Sequence, residues 1–451
     1  MRTVIENAHI ATVDAVDTEY ERGHVVIDGT RIAAVGAGDA PAELLSGATR
    51  VEGSGHLVTP GLVNTHHHLY QWLTRGLAQD SILFDWLVAL YPSWSRIDED
   101  LVRDGAAGAM AVLARSGCTT VGDHHYVFPQ GSGDVLGGIV ESATDIGVRL
   151  HATRGSMDLG ESQGGLPPDF AVETTDAALQ ASADAVARYH DTAVDAMVRV
   201  AIAPCSPFSV TADLLRESAI LARDLGVRLH SHGAETVEEE AFCRERFGMS
   251  PTDYFESLGW LGDDVWLAHC VHLDEHAIAK FAATGTGVAH CPSSNARLAA
   301  GTAPVVDLLR AGAPVGLGVD GAASNESGQL GTEVRTALLM QRLRYGADRF
   351  SGREALRLAT MGGARVLGRD AELGSLEPGK LADIALWRID DVEHAGIADP
   401  LAALTLGGMP PVSRLFVNGR AVVSDGELVQ ADEREIARNA RAAARELASR
   451  G

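Results

Sequence analysis

Eight short runs rich in β-branched residues, each followed by an alanine-rich stretch with helical spacing, fill the middle of this 451-residue chain. They begin near Gly61 (GLVNTH), Cys118 (CTTVGD), Gly147 (GVRLHA), Met197 (MVRVAIA), Gly226 (GVRLHSH), Asp264 (DVWLAH), Thr286 (TGVAHC) and Pro314 (PVGLGVD). Strands alternating with helices in this way predict a parallel sheet wrapped by helices. Eight such units over roughly 260 residues is the span of a (β/α)8 TIM barrel. A flavodoxin-like sheet normally stops nearer five or six strands and ranks second.

The flanking segments differ. Residues 1–59 read as short strands broken by turns, with a hairpin signal at Asp28-Gly29. The same style returns from Leu381 (LADIALW) and in SRLFVNGRAVVSDGELV, where Asn418-Gly419 and Asp425-Gly426 mark two further hairpins. The expected organisation is an α/β chain with a barrel over 60–369, a small β-sandwich domain made from 1–59 with 370–429, and a terminal amphipathic helix over 430–451.

A net charge of −24 repels phosphate backbones and anionic lipid, so neither nucleic acid nor a membrane surface is an expected partner. No apolar run approaches a membrane span, and Glu6 and Asp14 interrupt the start where a signal peptide needs an apolar stretch, so the expected location is cytoplasmic. The expected partners are a small-molecule substrate and further copies of the chain in a homo-oligomer. Five cysteines, Cys118, Cys205, Cys243, Cys270 and Cys291, form no CxxC pair, which argues against a disulfide framework or a thiolate zinc cluster.

Catalytic groups of such barrels gather where strands end, and here several strands end in histidine or aspartate. The first gives His66-His67-His68, the fifth His230-Ser231-His232 followed by Glu235, the sixth His269, the seventh His290 and the eighth Asp320. Residues i and i+2 of a strand share a side, so His66 and His68 can both face the mouth. Nitrogen from His66, His68 and His232 with oxygen from Asp320 suits one zinc ion, with ferrous iron as the alternative. The competing reading is a set of separate strand-end polar groups satisfying local hydrogen bonds.

PGLVNTHHH, the HxxE of His232 to Glu235, AHCVHL around His269, HCPSSN from His290, GLGVDGAASN around Asp320 and LEPGKLADI from Leu376 occur in the order shown by the amidohydrolase superfamily. Over essentially its full length the chain resembles the branch holding guanine deaminases, cytosine deaminases and triazine hydrolases. The resemblance implies that His66, His68, His232 and Asp320 bind one metal and that Glu235, His269 and Asp320 act in catalysis. Dinuclear members usually bridge their metals with a carboxylated lysine from the fourth strand. Only Lys280 and Lys380 are lysines here, so a mononuclear centre is expected. The implied reaction is hydrolytic replacement of an exocyclic amine on an aminated heterocycle by metal-activated water.

Six aromatic side chains, Tyr70, Trp72, Phe84, Trp86, Tyr91 and Trp94, fall in one short stretch after the first strand. They suit either an apolar lid over a flat ring or the core of a cap helix. Gln71 stands three past His68, where guanine deaminases carry a glutamine that reads the purine edge. Cys205 falls in the stretch (APCSPF) where those enzymes place an arginine, a departure that disfavours plain guanine. With Trp72, these are the expected substrate contacts. NTHHHLYQ, DWLVALYPSW, DHHY from Asp123, APCSPFSV and CPSSNARLAAGTAPV together most resemble the 8-oxoguanine deaminases, which implies conversion of 8-oxoguanine to urate and ammonia. Guanine, isoxanthopterin or hydroxy-s-triazine aminohydrolase, cyclic-amide hydrolase and a catalytically inactive binding barrel are the alternatives. His124, His125, His272 and His290 are expected to be structural, and Ser293, Asn295, Ser324 and Asn325 to shape loops.

Overall fold

The computed structural model describes residues 2–450. Eight parallel strands form the nearly closed barrel expected from the alternation: β1 (Leu62–Asn64), β2 (Cys118–His125), β3 (Arg149–Ser156), β4 (Val198–Pro204), β5 (Leu229–Gly233), β6 (Val265–His269), β7 (Gly287–His290) and β8 (Val315–Leu317). Each pairs with its neighbour in sequence, as in Leu229↔Val265 and Val288↔Val315. β2, β3 and β5 to β8 are buried throughout, as expected of strands with a packed interior on one face and helices on the other.

Helices follow the strands and end sharply. Gly226, at φ 67°, closes the helix Ala212–Leu225 in a left-handed conformation that its missing Cβ makes accessible, and β5 starts three residues later. Between β1 and β8 the strand order ends, and the seam is closed by separate bonds. Thr65 N–H and Thr65 Oγ1 both donate to the Leu317 carbonyl (2.9 and 2.8 Å), Val319 N–H donates to Asn64 Oδ1 (3.0 Å), and Asp320 N–H donates to the His66 carbonyl (3.0 Å).

A nine-stranded mixed sheet is shared by both chain ends. His56–Pro60 pairs antiparallel with Ile384–Arg388 and parallel with Arg2–Ala11, which ties the first sixty residues to the last seventy. The hairpins at Asn418-Gly419 and Asp425-Gly426 form where expected, with positive φ at all four residues. The first hairpin turns one residue later than its sequence signal, because Asp28 still pairs with Arg31 and leaves Gly29-Thr30 as the turn. The terminal helix, Glu433–Ser449, packs through Ala440, Ala443 and Leu447 against the helix Glu99–Arg115. Among the described residues no helix is long and apolar enough to cross a membrane.

Candidate active site

The C-terminal ends of β1, β5, β6 and β8 bring the strand-end residues together under a helix that spans Leu83–Trp94. His68 Nε2 lies 3.1 Å from His232 Nε2, and Asp320 Oδ1 lies 3.3 Å from both His66 Nε2 and His68 Nε2. These are the separations that ligands about 2.1 Å from a shared tetrahedral ion would show.

The other ring nitrogen of each histidine is already committed. His68 Nδ1 donates to the His124 carbonyl (2.5 Å) and His232 Nδ1 to the Cys205 carbonyl (2.7 Å). His230 Nδ1 donates to the Trp266 carbonyl (2.9 Å), so its Nε2 can accept from His66 Nδ1 at 2.8 Å. All three histidines are thereby fixed as the tautomer with a bare Nε2, the form that ligates a metal. His66 Nε2 is buried without a hydrogen-bond partner, as a ligand atom would be. Burial also holds His66, His68 and His232 below the usual imidazole range, His232 down to about 3, so all three are neutral. Asp320 Oδ1 accepts from Gly321 N–H at 2.7 Å, a bond that favours the ionised carboxylate. The residues therefore fit a divalent cation.

Glu235 and His269 stand beside this cluster. His269 Nε2 is 3.5 Å from Glu235 Oε2 and 4.0 Å from Asp320 Oδ2. His269 Nδ1 donates to Asn295 Oδ1 at 2.9 Å, which leaves Nε2 facing the two carboxylates. Glu235 Oε1 is buried without a partner. Burial, with Asp320 and Glu239 close by, pushes its carboxyl well above the usual range. Glu239 fixes the turn that carries it, accepting from Ala234 N–H (2.9 Å) and Glu235 N–H (2.8 Å). Backbone strain collects at the same place, because Ala234, His269, Cys270 and Asp320 all have left-handed φ between 50° and 71°.

The cluster opens on a small cavity. Leu83, Trp86, Leu87, Tyr91, Tyr126 and Phe208 supply its apolar walls, and no arginine or lysine lines it. Gln71 and Cys205 both line it, as the sequence implied. The two polar atoms of the Gln71 carboxamide are buried and unpartnered. Its space exists because residue 321 is glycine: a Cβ there would lie 1.7 Å from Gln71 Oε1. Burial raises the Cys205 thiol to about 12, so it presents a neutral S–H.

Trp72 is not brought to the cavity. A 3-10 helix, Leu69–Thr74, turns Gln71 inwards and Trp72 away, where its indole packs under Arg75 (3.7 Å to the ring centre) and against Gly108 and Gly328. Of the aromatic stretch, Trp86 and Tyr91 line the cavity, whereas Trp94 is core and donates to Thr74 Oγ1 at 3.1 Å. Lid and cap-helix core are thus one element.

Several positioning groups escaped the sequence reading. His230 orients His66; Ser294 and Ser324 donate to Asp320 Oδ2 at 2.5 and 3.1 Å; and Asn295 orients His269. A hydroxyl or amide beside a strand end carries no signal of what it will face. His124, within 4.8 Å of the His66, His68 and His232 donor atoms, stacks on His232 and gives its Nε2 proton to the Ala203 carbonyl (2.9 Å), while its Nδ1 is buried without a partner.

Comparison with known proteins agrees with this geometry. Residues 57–422 match the amidohydrolase family. The chain is 47% identical to an 8-oxoguanine deaminase of Pseudomonas aeruginosa over 451 residues, covering 99% of each protein. It is 40% identical to an isoxanthopterin deaminase from an unknown prokaryotic organism, covering 89% of this chain and 88% of that one. A solved atrazine chlorohydrolase of Arthrobacter aurescens, complexed with zinc, superposes with a TM-score of 0.93 at 35% identity, covering 98% of this chain and 100% of that one.

Proposed function

The chain belongs to the amidohydrolase family, and from that premise we propose that it is a zinc-dependent aminohydrolase that converts 8-oxoguanine to urate and ammonia. The observation that carries the reading is the joining of two features in one buried space: a histidine and aspartate cluster beside Glu235 and His269, and an unpartnered Gln71 carboxamide across the same cavity.

His66, His68, His232 and Asp320 would hold one divalent ion, which supplies the positive charge that makes water a nucleophile near neutral pH. Glu235 takes a proton from the attacking water and passes it to the ring nitrogen next to the reacting carbon. His269 Nε2 hydrogen-bonds the attacking oxygen. Asp320, through Oδ2, carries the second water proton to the amine, so the carbon–nitrogen bond breaks with ammonia as leaving group. Trp86 and Tyr91 wall the flat ring off from water, and Gln71 can donate to and accept from a lactam edge at once. A cavity without arginine or lysine suits a neutral base and offers nothing to a phosphate.

Ammonia release from 8-oxoguanine, guanine, isoxanthopterin and hydroxylated aminotriazines tests the substrate. The highest kcat/KM is expected for 8-oxoguanine. A value about tenfold below that for guanine or a triazine removes this substrate while leaving the aminohydrolase reading intact. Elemental analysis is expected to give about one zinc per chain, and two tightly held ions would overturn the mononuclear centre.

A further inference from the structure

The helix Leu330–Tyr345, which follows β8, carries a fully buried carboxylate that lines no part of the cavity. Glu333 Oε2 accepts from Ser293 N–H at 3.0 Å, and Glu333 Oε1 accepts from Asn325 Nδ2 at 3.0 Å. Ser293 lies in the short helix Pro292–Arg297 that follows β7, where the sequence suggested a loop, and Asn325 in the loop after β8. Each adjoins residues that touch the reaction centre. Ser294 donates to Asp320 Oδ2 and Asn295 accepts from His269 Nδ1, while Ser324, next to Asn325, donates to the same Asp320 oxygen. The Ser294 and Ser324 hydroxyls are themselves 2.9 Å apart, so the helix after β7 and the loop after β8 meet over Asp320 Oδ2.

We propose that Glu333 is a positioning residue of the metal centre, clamping the helix after β7 to the loop after β8 so that Asp320 and His269 hold their directions. A carboxylate suits this place because both of its oxygens accept, and both segments offer donors. A glutamine would turn its own NH2 towards either Ser293 N–H or the Asn325 amide, and one arm of the clamp would open. The inference rests on the assignment of Asp320 as ligand and proton carrier.

Chelator competition for zinc and steady-state kinetics on the full-length holoenzyme test it. Glu333→Gln is expected to bind the same amount of zinc roughly tenfold more weakly, with kcat down about tenfold and KM within about twofold. Because Glu333 acts through Ser294, the double variant Ser294→Ala/Glu333→Gln should lose less than the product of the two single losses. Asn325→Ser opens only the β8 arm, so it should show a smaller loss in the same direction, and it serves if Glu333→Gln does not fold. Gln341→Met removes a buried bond to the Ala303 carbonyl from the same helix, and should lower Tm without changing zinc affinity. Zinc affinity within about twofold of the unsubstituted chain in both Glu333→Gln and Asn325→Ser, or multiplying losses in the double variant, would overturn the proposal. An unsubstituted chain that releases no ammonia from any heterocycle sinks the functional reading instead, and the zinc affinities still decide the role of Glu333.

Discussion

The two ends of the barrel treat buried charge in opposite ways. At the base, Arg149, Arg199, Arg228 and Arg369 converge on carbonyls and carboxylates. Arg149 Nη1 meets Ala196 O at 2.5 Å and its Nη2 meets Asp383 Oδ1 at 3.0 Å; Arg369 Nη2 meets Val194 O at 2.8 Å; Arg199 Nη2 meets Glu372 Oε1 at 3.0 Å; and Arg228 Nη2 meets Asp263 O at 2.6 Å. The Nε atoms of Arg149, Arg199 and Arg228, Asp383 Oδ2 and His151 Nδ1 are left over there. At the mouth, the atoms without partners include His66 Nε2, His124 Nδ1, Glu235 Oε1 and both polar atoms of Gln71. At the base, cations meet carbonyls and carboxylates of the protein itself and hold the barrel to the mixed sheet, while at the mouth unpartnered atoms gather around one cavity, where the proposed metal, water and substrate would meet them. The base should therefore carry stability with no effect on turnover, and the mouth the reverse.

The largest effect expected at the mouth is that of His232→Ala, which removes a proposed ligand. Zinc content should fall well below one per chain and turnover by at least about 10³-fold, and unchanged metal by elemental analysis would break the assignment. Next, Glu235→Gln should keep zinc and Tm while losing at least roughly 10²-fold in kcat, because an amide cannot shuttle the proton. Near-normal turnover would leave Asp320 as the only proton carrier. Gln71→Leu should cost about 10-fold to 10²-fold in kcat/KM for 8-oxoguanine with zinc unchanged, since a mispaired lactam edge discriminates by a few kcal/mol. Equal efficiency would place the purine edge elsewhere.

At the base, Arg149→Met leaves Asp383 buried without its cation and should lower stability by about 3–5 kcal/mol in denaturant unfolding, with kcat per folded molecule unchanged. The smallest effect is a slope. Burial, reinforced by Arg228, Arg369 and Arg199, holds His151 neutral, with its folded pKa well below the usual imidazole range. The unfolded chain then binds the extra proton as pH falls below about 6.5, so stability is lost on acidification by up to about 1.4 kcal/mol per pH unit for this one group. His151→Leu should flatten the dependence of Tm on pH by that share, and an unchanged slope would show that His151 does not contribute to it.

The mouth was more legible in the sequence than the base. Histidines at strand ends announce themselves through the i, i+2 rule and through the order of their motifs, which is why His66, His68, His232 and Asp320 group together in the sequence itself. Gln71, three past His68, and Cys205, in the stretch where guanine deaminases carry an arginine, were singled out by resemblance, and both line the cavity. Trp72 did not, because neighbours in a 3-10 turn point in different directions and spacing alone cannot choose between them. The arginines at the base had a readable signal that went unused. A Val-Arg pair opens GVRLHA, MVRVAIA and GVRLHSH, three strands in succession, and a charge repeated at the start of neighbouring parallel strands must meet itself at one end of the barrel. What no local pattern could give is the clamping role of Glu333, on an ordinary helix some forty residues from one of its partners.

The contact between Gln71 and Gly321 has a consequence for how such a cavity can change its ligand. The carboxamide occupies the volume that a methyl group at 321 would need, so the two positions share one small space. A descendant that shortened residue 71 would free that space and could then acquire a side chain at 321, on the opposite lip of the barrel seam. An enlargement at 321 instead pushes on the far end of the Gln71 side chain, so a change of size at either position is felt first by the same carboxamide.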